Sequence, residues 1–170
     1  YIKGLRDLEF LIEKVQRAHQ AVVVGSGLLA LEVAATLKSA GVHVVVVSEE
    51  GEPATRLFGA PIGKNLRELH EANGVHFSVG SKVQEIFDGY LSLNTEEIIK
   101  TDFVIMALGT TPNVSLAQMA GCKVKNGIIV DRSMRTSVPG IFAAGEVAKF
   151  PSRFNNETQR FEQWEVAEHH

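Results

Sequence analysis

Ala21-Val-Val-Val24-Gly25-Ser-Gly27-Leu-Leu-Ala30, followed by Val33, Ala34, Leu37, Gly41 and then Val44-Val-Val-Val47, decides the fold. The two valine-rich runs are unbroken β-branched segments, as in strands buried on both faces. Between them, Ala30, Val33, Ala34 and Leu37 mark one face of a helix, and Gly41 stands where that helix should end. Residues 20 to 48 therefore read as strand, glycine turn, helix, strand: a parallel βαβ unit.

Working outward, Leu5 to Arg17 has helical spacing at Leu8, Leu11, Ile12 and Val15. Ile62 to Asn73 is a third helix, closed by Asn73-Gly74, and Val75 to Val79 is a short strand. Lys82 to Phe87 and Tyr90 to Leu93 flank Asp88-Gly89, a hairpin signal. Phe103 to Leu108 reads as another buried strand, and Ile128 to Val130 and Ile141 to Ala144 as two short ones. The expected architecture is α/β: a Rossmann-like, doubly wound parallel sheet with an inserted antiparallel β-hairpin or meander.

The 170 residues carry 17 basic and 20 acidic side chains, so the basic excess of a nucleic-acid binder is missing. The apolar runs are far shorter than the ~20 residues of a membrane span. One cysteine, Cys122, excludes an intrachain disulfide, a CxxC centre and a multi-cysteine zinc site. The six histidines lack metal-ligand spacing, and no metal is expected; His43 and His70 are expected to be partly buried structural residues. Gly63-Lys64-Asn65 lacks the rest of a P-loop. Tyr1 is not an initiator methionine, both ends read as cut, and His169-His170 are given no function. Without a secretory leader in view, an intracellular place, cytoplasmic or mitochondrial, is expected.

Chemistry concentrates at the glycine turn. Gly25 permits a tight strand-to-helix turn, and Gly27 leaves room for a pyrophosphate to approach the amides of Ser26, Leu28 and Leu29 at the positive end of the helix. Ala30 replaces a third glycine, where smallness lets helix and strand lie close. Any tight turn favours glycine, so the surrounding βαβ unit is what gives the hexad its dinucleotide meaning. At the end of the second strand, Ser48 stands where an acid would hold the adenosine ribose, with Glu49 and Glu50 following; Arg56 is the nearest base, at an unfavourable offset for a 2′-phosphate. Glu32, by spacing alone, is equally a solvated carboxylate near a helix N-terminus.

With its flanking residues, Gly25-Ser-Gly27-Leu-Leu-Ala-Leu-Glu32-Val-Ala34 resembles the GxGxxGxExA fingerprint of the FAD- and NAD(P)H-dependent pyridine nucleotide-disulfide oxidoreductases. Ala107-Leu-Gly109-Thr-Thr-Pro-Asn113 is similar to their AxGxxPN strand end. Thr136-Ser-Val-Pro-Gly-Ile-Phe-Ala-Ala-Gly145-Glu146 resembles their second flavin motif, with glutamate in place of aspartate. Arg160-Phe-Glu162-Gln-Trp164 resembles a segment of the ferredoxin-reductase and apoptosis-inducing-factor branch.

The resemblance implies an NAD(P)H-binding domain at 1–135 and, at 136–170, the start of a returning FAD-binding segment. It implies NAD(H), with NADP(H) as the alternative, and FAD in the full-length protein. Hydride would pass from NAD(P)H to flavin and on to a ferredoxin or Rieske-type iron–sulfur protein or a small acceptor. Glu32 would place the nicotinamide, Ala107 and Gly109 would line the cofactor, and Gly145, Glu146 and Trp164 would face the flavin. By itself the chain should bind the nicotinamide nucleotide but neither retain FAD tightly nor turn over. The alternative is a nucleotide-responsive binding protein of the apoptosis-inducing-factor type. A thioredoxin-reductase-like dithiol is disfavoured, because this chain has one cysteine.

Overall fold

The computed structural model describes residues 5–152 and 157–170, and they divide into two compact units, one ending at Gly109 and the other beginning at Thr110. In the first unit the order is α1 (Leu5–Arg17), β1 (Gln20–Val24), α2 (Leu28–Ser39), β2 (His43–Ser48), α3 (Thr55–Phe58), α4 (Ala60–Ala72), β3 (His76–Val79), β4 (Val83–Phe87), β5 (Tyr90–Leu93), β6 (Ile98–Lys100) and β7 (Phe103–Met106). The second unit holds α5 (Ser115–Met119), β8 (Ile128–Ile129), a 3-10 turn (Gly145–Val147), β9 (Ala148–Pro151), β10 (Thr158–Gln159) and α6 (Trp164–Glu168).

The parallel sheet has the order β3-β2-β1-β7, so β1 and β2 are its interior strands. This is why their valine runs are unbroken: each side chain meets a core whichever face it points to. Ala21 and Val23 pack with Val44, Val46, Ala30, Ala34 and Leu37 on the helical face. Val22, Val24 and Val47 pack with Leu91, Leu93 and Ile99 of the meander β4-β5-β6 on the other. Burying one such side chain contributes about 1.5–3 kcal/mol. The parallel sheet with its inserted meander is thus the expected Rossmann-like α/β fold.

Several expectations need correction. Phe103 to Leu108 is not a buried strand: β7 stops at Met106 and pairs only with β1, so it lies at the sheet edge with its residues half-buried or exposed. Ile141 to Ala144 forms no strand; it contributes one bridge, Phe142 to Arg135, and is apolar because Ile141 and Ala143 pack into the second unit's core. His43 is exposed, because the first residue of β2 points outward. His70 is half-buried, its ring 6.2 Å from and edge-on to Phe77. The two compact units part at 109/110. Ala117, Cys122, Ile128 and Val130 share a core with Ala143 and Ala148, and β8 pairs with β9.

Asp102 fixes the register of the edge strand. Its Oδ2 accepts hydrogen bonds from the backbone N–H groups of Gln20 (2.9 Å) and His19 (2.6 Å), where β1 begins. These donors hold its carboxyl below the usual carboxylate range, against the opposing effect of desolvation. A group depressed in this way stabilises the fold above its unfolded pKa of ~3.9, and the contribution is lost as pH falls through the lower folded value. Asp102→Asn should therefore lower the urea midpoint at neutral pH. The gap from the parent should close on acidification towards about pH 2, and a gap undiminished in acid would contradict this role for the charge.

Candidate functional site

The glycine turn leaves the C-terminal end of β1 and enters α2, and two of its glycines are held there for different reasons. Gly25 has φ +115°, and a Cβ built on it would lie 2.3 Å from the Ala107 carbonyl oxygen. Its N–H donates to the Val47 carbonyl at 2.8 Å. Only a residue without a side chain can pass between β7 and β2 at this point. Gly27 is the N-cap of α2 with φ −70°, and a Cβ there would meet nothing within 4 Å. No side chain caps this helix, and no carboxylate stands in its first turn. The amides of Leu28, Leu29 and Ala30 thus begin a helix whose positive end faces open space over Gly27, the cradle an anion requires. Ala30 is fully buried in the core that it shares with Ala21 and Val23.

Beside the turn, the end of β2 is tied down. Ser48 is 4% exposed; its Oγ accepts the Glu50 N–H at 3.0 Å and lies 2.7 Å from Ser26 Oγ. Its hydroxyl is engaged inside the protein. The Ser26 carbonyl accepts the Ala54 N–H at 2.8 Å, and Ala54 is buried at φ +52°. Behind it, Gly63 of α4 lets the helix approach Pro53, whose carbonyl oxygen would be 2.3 Å from a Cβ. Arg67 grips both oxygens of Glu52 at 2.8 and 3.0 Å and holds that carboxyl below its usual range.

Past Ser48 the rim is charged. Glu49 is exposed, with Lys82 Nζ 3.9 Å away. Arg56 reaches back from α3 to Glu50, with Nε 2.5 Å from Oε1. Between them the chain takes a left-handed turn at Ala54, and the pairing is a contact that sequence spacing does not reveal. Glu32 lies on the exposed side of α2, in its second turn. Ala107 is half-buried and its N–H donates to Val24, while Gly109 is exposed at φ +91°. Gly25, Ser26, Gly27, Leu28, Leu29, Ala30, Ser48, Glu49, Ala107 and Gly109 all fall within the first unit.

Gly145, Glu146 and Trp164 belong to the second unit. Gly145 opens the 3-10 turn at φ +78°, Glu146 is exposed, and Trp164 begins α6. Arg160 donates from Nη1 to the Glu146 carbonyl at 3.2 Å and pairs through Nη2 with Glu162. The Gly145 N–H donates to Nδ1 of His170, whose ring packs edge-on against Phe150 at 4.5 Å. His170 therefore has a structural place that its position in the sequence gave no reason to expect. Among the described residues no three His, Cys, Asp or Glu side chains could hold a metal, and no helix is long and apolar enough to cross a membrane.

Known proteins are similar to this chain. The ferredoxin–NAD(+) reductase component of an anthranilate 1,2-dioxygenase system from Burkholderia cepacia is 33% identical over 172 residues, covering 99% of this chain and 42% of that protein. Monodehydroascorbate reductase 5 from Oryza sativa, named as chloroplastic, is 32% identical, covering 95% of this chain and 34% of its own length. Among solved structures, putidaredoxin reductase in its covalent complex with putidaredoxin superposes with a TM-score of 0.91 at 30% identity, over 98% of this chain and 42% of the other. The chain thus spans between a third and a half of these relatives. The family model for pyridine nucleotide-disulphide oxidoreductases matches residues 2–170, and the chain belongs to that family.

Proposed function

We propose that this chain is the NAD(P)H-binding part of a larger FAD-dependent oxidoreductase, which passes electrons from NAD(P)H through flavin to a ferredoxin-type iron–sulfur protein. The observation that carries this reading is the open space over Gly27 at the uncapped start of α2. Hydride transfer is the chemistry that the bound cofactors supply; the chain's residues bind, orient and exclude water. The amides of Leu28, Leu29 and Ala30, with Ser26, hold the pyrophosphate. Glu32 positions the nicotinamide, and Ala107 and Gly109 border it. Gly145, Glu146 and Trp164 serve the flavin side, consistent with division of labour between residues 1–135 and 136–170. The ferredoxin-type acceptor is supported by relatives named as ferredoxin reductases and by the complex that contains putidaredoxin. The apoptosis-inducing-factor-like alternative is not favoured over turnover.

The same reading favours NADH. With Ser48 committed inward, Glu49 is the exposed carboxylate left to accept a ribose hydroxyl. Arg56 could serve a 2′-phosphate only by leaving Glu50. A carboxylate about 4 Å from a phosphate charge costs ~1 kcal/mol in water and ~4 kcal/mol at an effective dielectric of 20. Titration of the chain should give a lower Kd for NADH than for NADPH. Glu49→Arg should shift the ratio towards NADPH by about tenfold, ~1.4 kcal/mol. A parent chain that prefers NADPH at physiological salt would overturn the NADH assignment, and one that binds neither would overturn the dinucleotide reading itself.

A further inference from the structure

Asparagine is followed by glycine at two places, Asn73-Gly74 and Asn126-Gly127. The backbone nitrogen of the next residue can attack an asparagine carboxamide, and glycine, without a side chain, hinders that approach least. The fold treats the two pairs differently. Asn73 is the C-cap of α4, and its Nδ2 donates to the Leu69 carbonyl at 2.8 Å. The Gly74 N–H donates to the Glu71 carbonyl at 2.9 Å. Here the electrophile and the nucleophile are both held.

At Asn126-Gly127 neither is held. Asn126 is exposed at φ +49°, in the left-handed region that asparagine tolerates better than most side chains. The pair forms the tip of a turn, in which Val124 bridges to Ile128 and the Lys125 N–H donates to the Gly127 carbonyl at 2.8 Å. Among the described residues the Asn126 carboxamide makes no hydrogen bond and the Gly127 N–H has no acceptor. Gly127 is buried, and a Cβ built on it would lie 2.9 Å from both Arg160 Cδ and the Val147 carbonyl oxygen. A buried N–H without an acceptor costs free energy, and closing a ring on that nitrogen removes the donor.

We infer that Asn126 is a site of spontaneous modification, deamidating through a cyclic imide with Gly127 while Asn73 is protected by the end of α4. The Gly127 nitrogen gives up its proton and bonds to Cγ of Asn126. The Cγ–Nδ2 bond breaks, and Nδ2 leaves with that proton as ammonia. Water then opens the imide at either carbonyl. One opening leaves aspartate; the other leaves isoaspartate, with the main chain rerouted through Cγ. No oxidant or reductant is needed. The isoaspartyl form places one more carbon in the main chain beside Gly127, where Arg160 leaves no room. Arg160 holds the Glu146 carbonyl at 3.2 Å, so this form loosens that tie.

Ageing the full-length protein in neutral buffer, with the two asparagine peptides followed by mass spectrometry, tests the assignment. In the folded protein Asn126 should convert about tenfold faster than Asn73, which must first break the bonds to Leu69 and from Gly74 to Glu71. In urea the fold shields neither site, and the two rates should converge. Equal rates in the folded protein, or faster conversion at Asn73, would overturn the assignment. So would a preference for Asn126 that persists undiminished in urea, since it would then come from neighbouring sequence and not from the fold. Asn126→Gln, whose carboxamide needs a larger ring, should remove the signal from its peptide; if that variant does not fold, the parent's two rates still decide. The isoaspartyl fraction should melt below the parent, whereas Asn126→Asp, which adds the charge without the extra carbon, should melt with it. An isoaspartyl fraction with the parent's melting temperature would overturn the cost at Arg160.

Discussion

Gly27→Val should give a folded protein that no longer binds NADH or NADPH. The position has φ −70° and ψ 175°, backbone that valine adopts readily, and its Cβ would meet no neighbour within 4 Å. Valine is a poorer N-cap than glycine, so the fold should lose at most about 1 kcal/mol. The branched side chain would fill the space over the first turn of α2 and separate a pyrophosphate from its amides. Hydrogen bonds to a charged acceptor contribute roughly 1.5–3 kcal/mol each, so losing even two lowers affinity by about two orders of magnitude or more. Paired measurements check this: a circular-dichroism melt close to the parent's, and a titration with no binding at millimolar nucleotide. A variant that melts normally and binds normally would remove the phosphate cradle from this turn.

Gly25→Ala, two residues away, should do the reverse and damage the fold first. Its Cβ would lie 2.3 Å from the Ala107 carbonyl oxygen and 2.9 Å from the carbonyl carbon, both backbone atoms, at φ +115°. Holding a non-glycine residue in such a region costs about 1–3 kcal/mol before any clash. The overlap can be relieved only by moving β7 from the end of β1. A total loss of about 3 kcal/mol or more is expected, which at this chain length lowers the melting temperature by about 6–12 °C. A melting temperature within a degree of the parent's would show that the turn can relax in a way its hydrogen bonds do not suggest.

These two glycines illustrate what the sequence made legible. The strand, turn and helix around them follow from patterns with a period of one to four residues, and every one of those elements lies where it was expected. Long-range partners were harder to read. Ile98–Lys100 is too short to show alternation, yet Ile99 completes the meander's apolar face with Leu91 and Leu93. Ile141-Phe-Ala-Ala144 has a strand's composition because part of it is buried, and burial does not require pairing. At the site, the glycine turn was readable because its chemistry is local. The commitment of Ser48 to Ser26, 22 positions away, and the return of Arg56 to Glu50 depend on loop geometry that no spacing rule encodes.

The sheet order carries a consequence for how the molecule is assembled. β1 receives β2 as a neighbour after a short helical crossover, but its other edge waits for β7, and 82 positions separate Gln20 from Asp102. Loop closure grows dearer with length, and folding slows as contacts become less local. During synthesis this deeply buried strand thus waits with one edge bare, and at ≈ 5–20 residues per second the wait lasts several seconds or more. Asp102 arrives immediately before β7 and captures the first amides of β1 as it does so. The carboxylate that sets the register also ends the period in which that edge could recruit a strand from another chain.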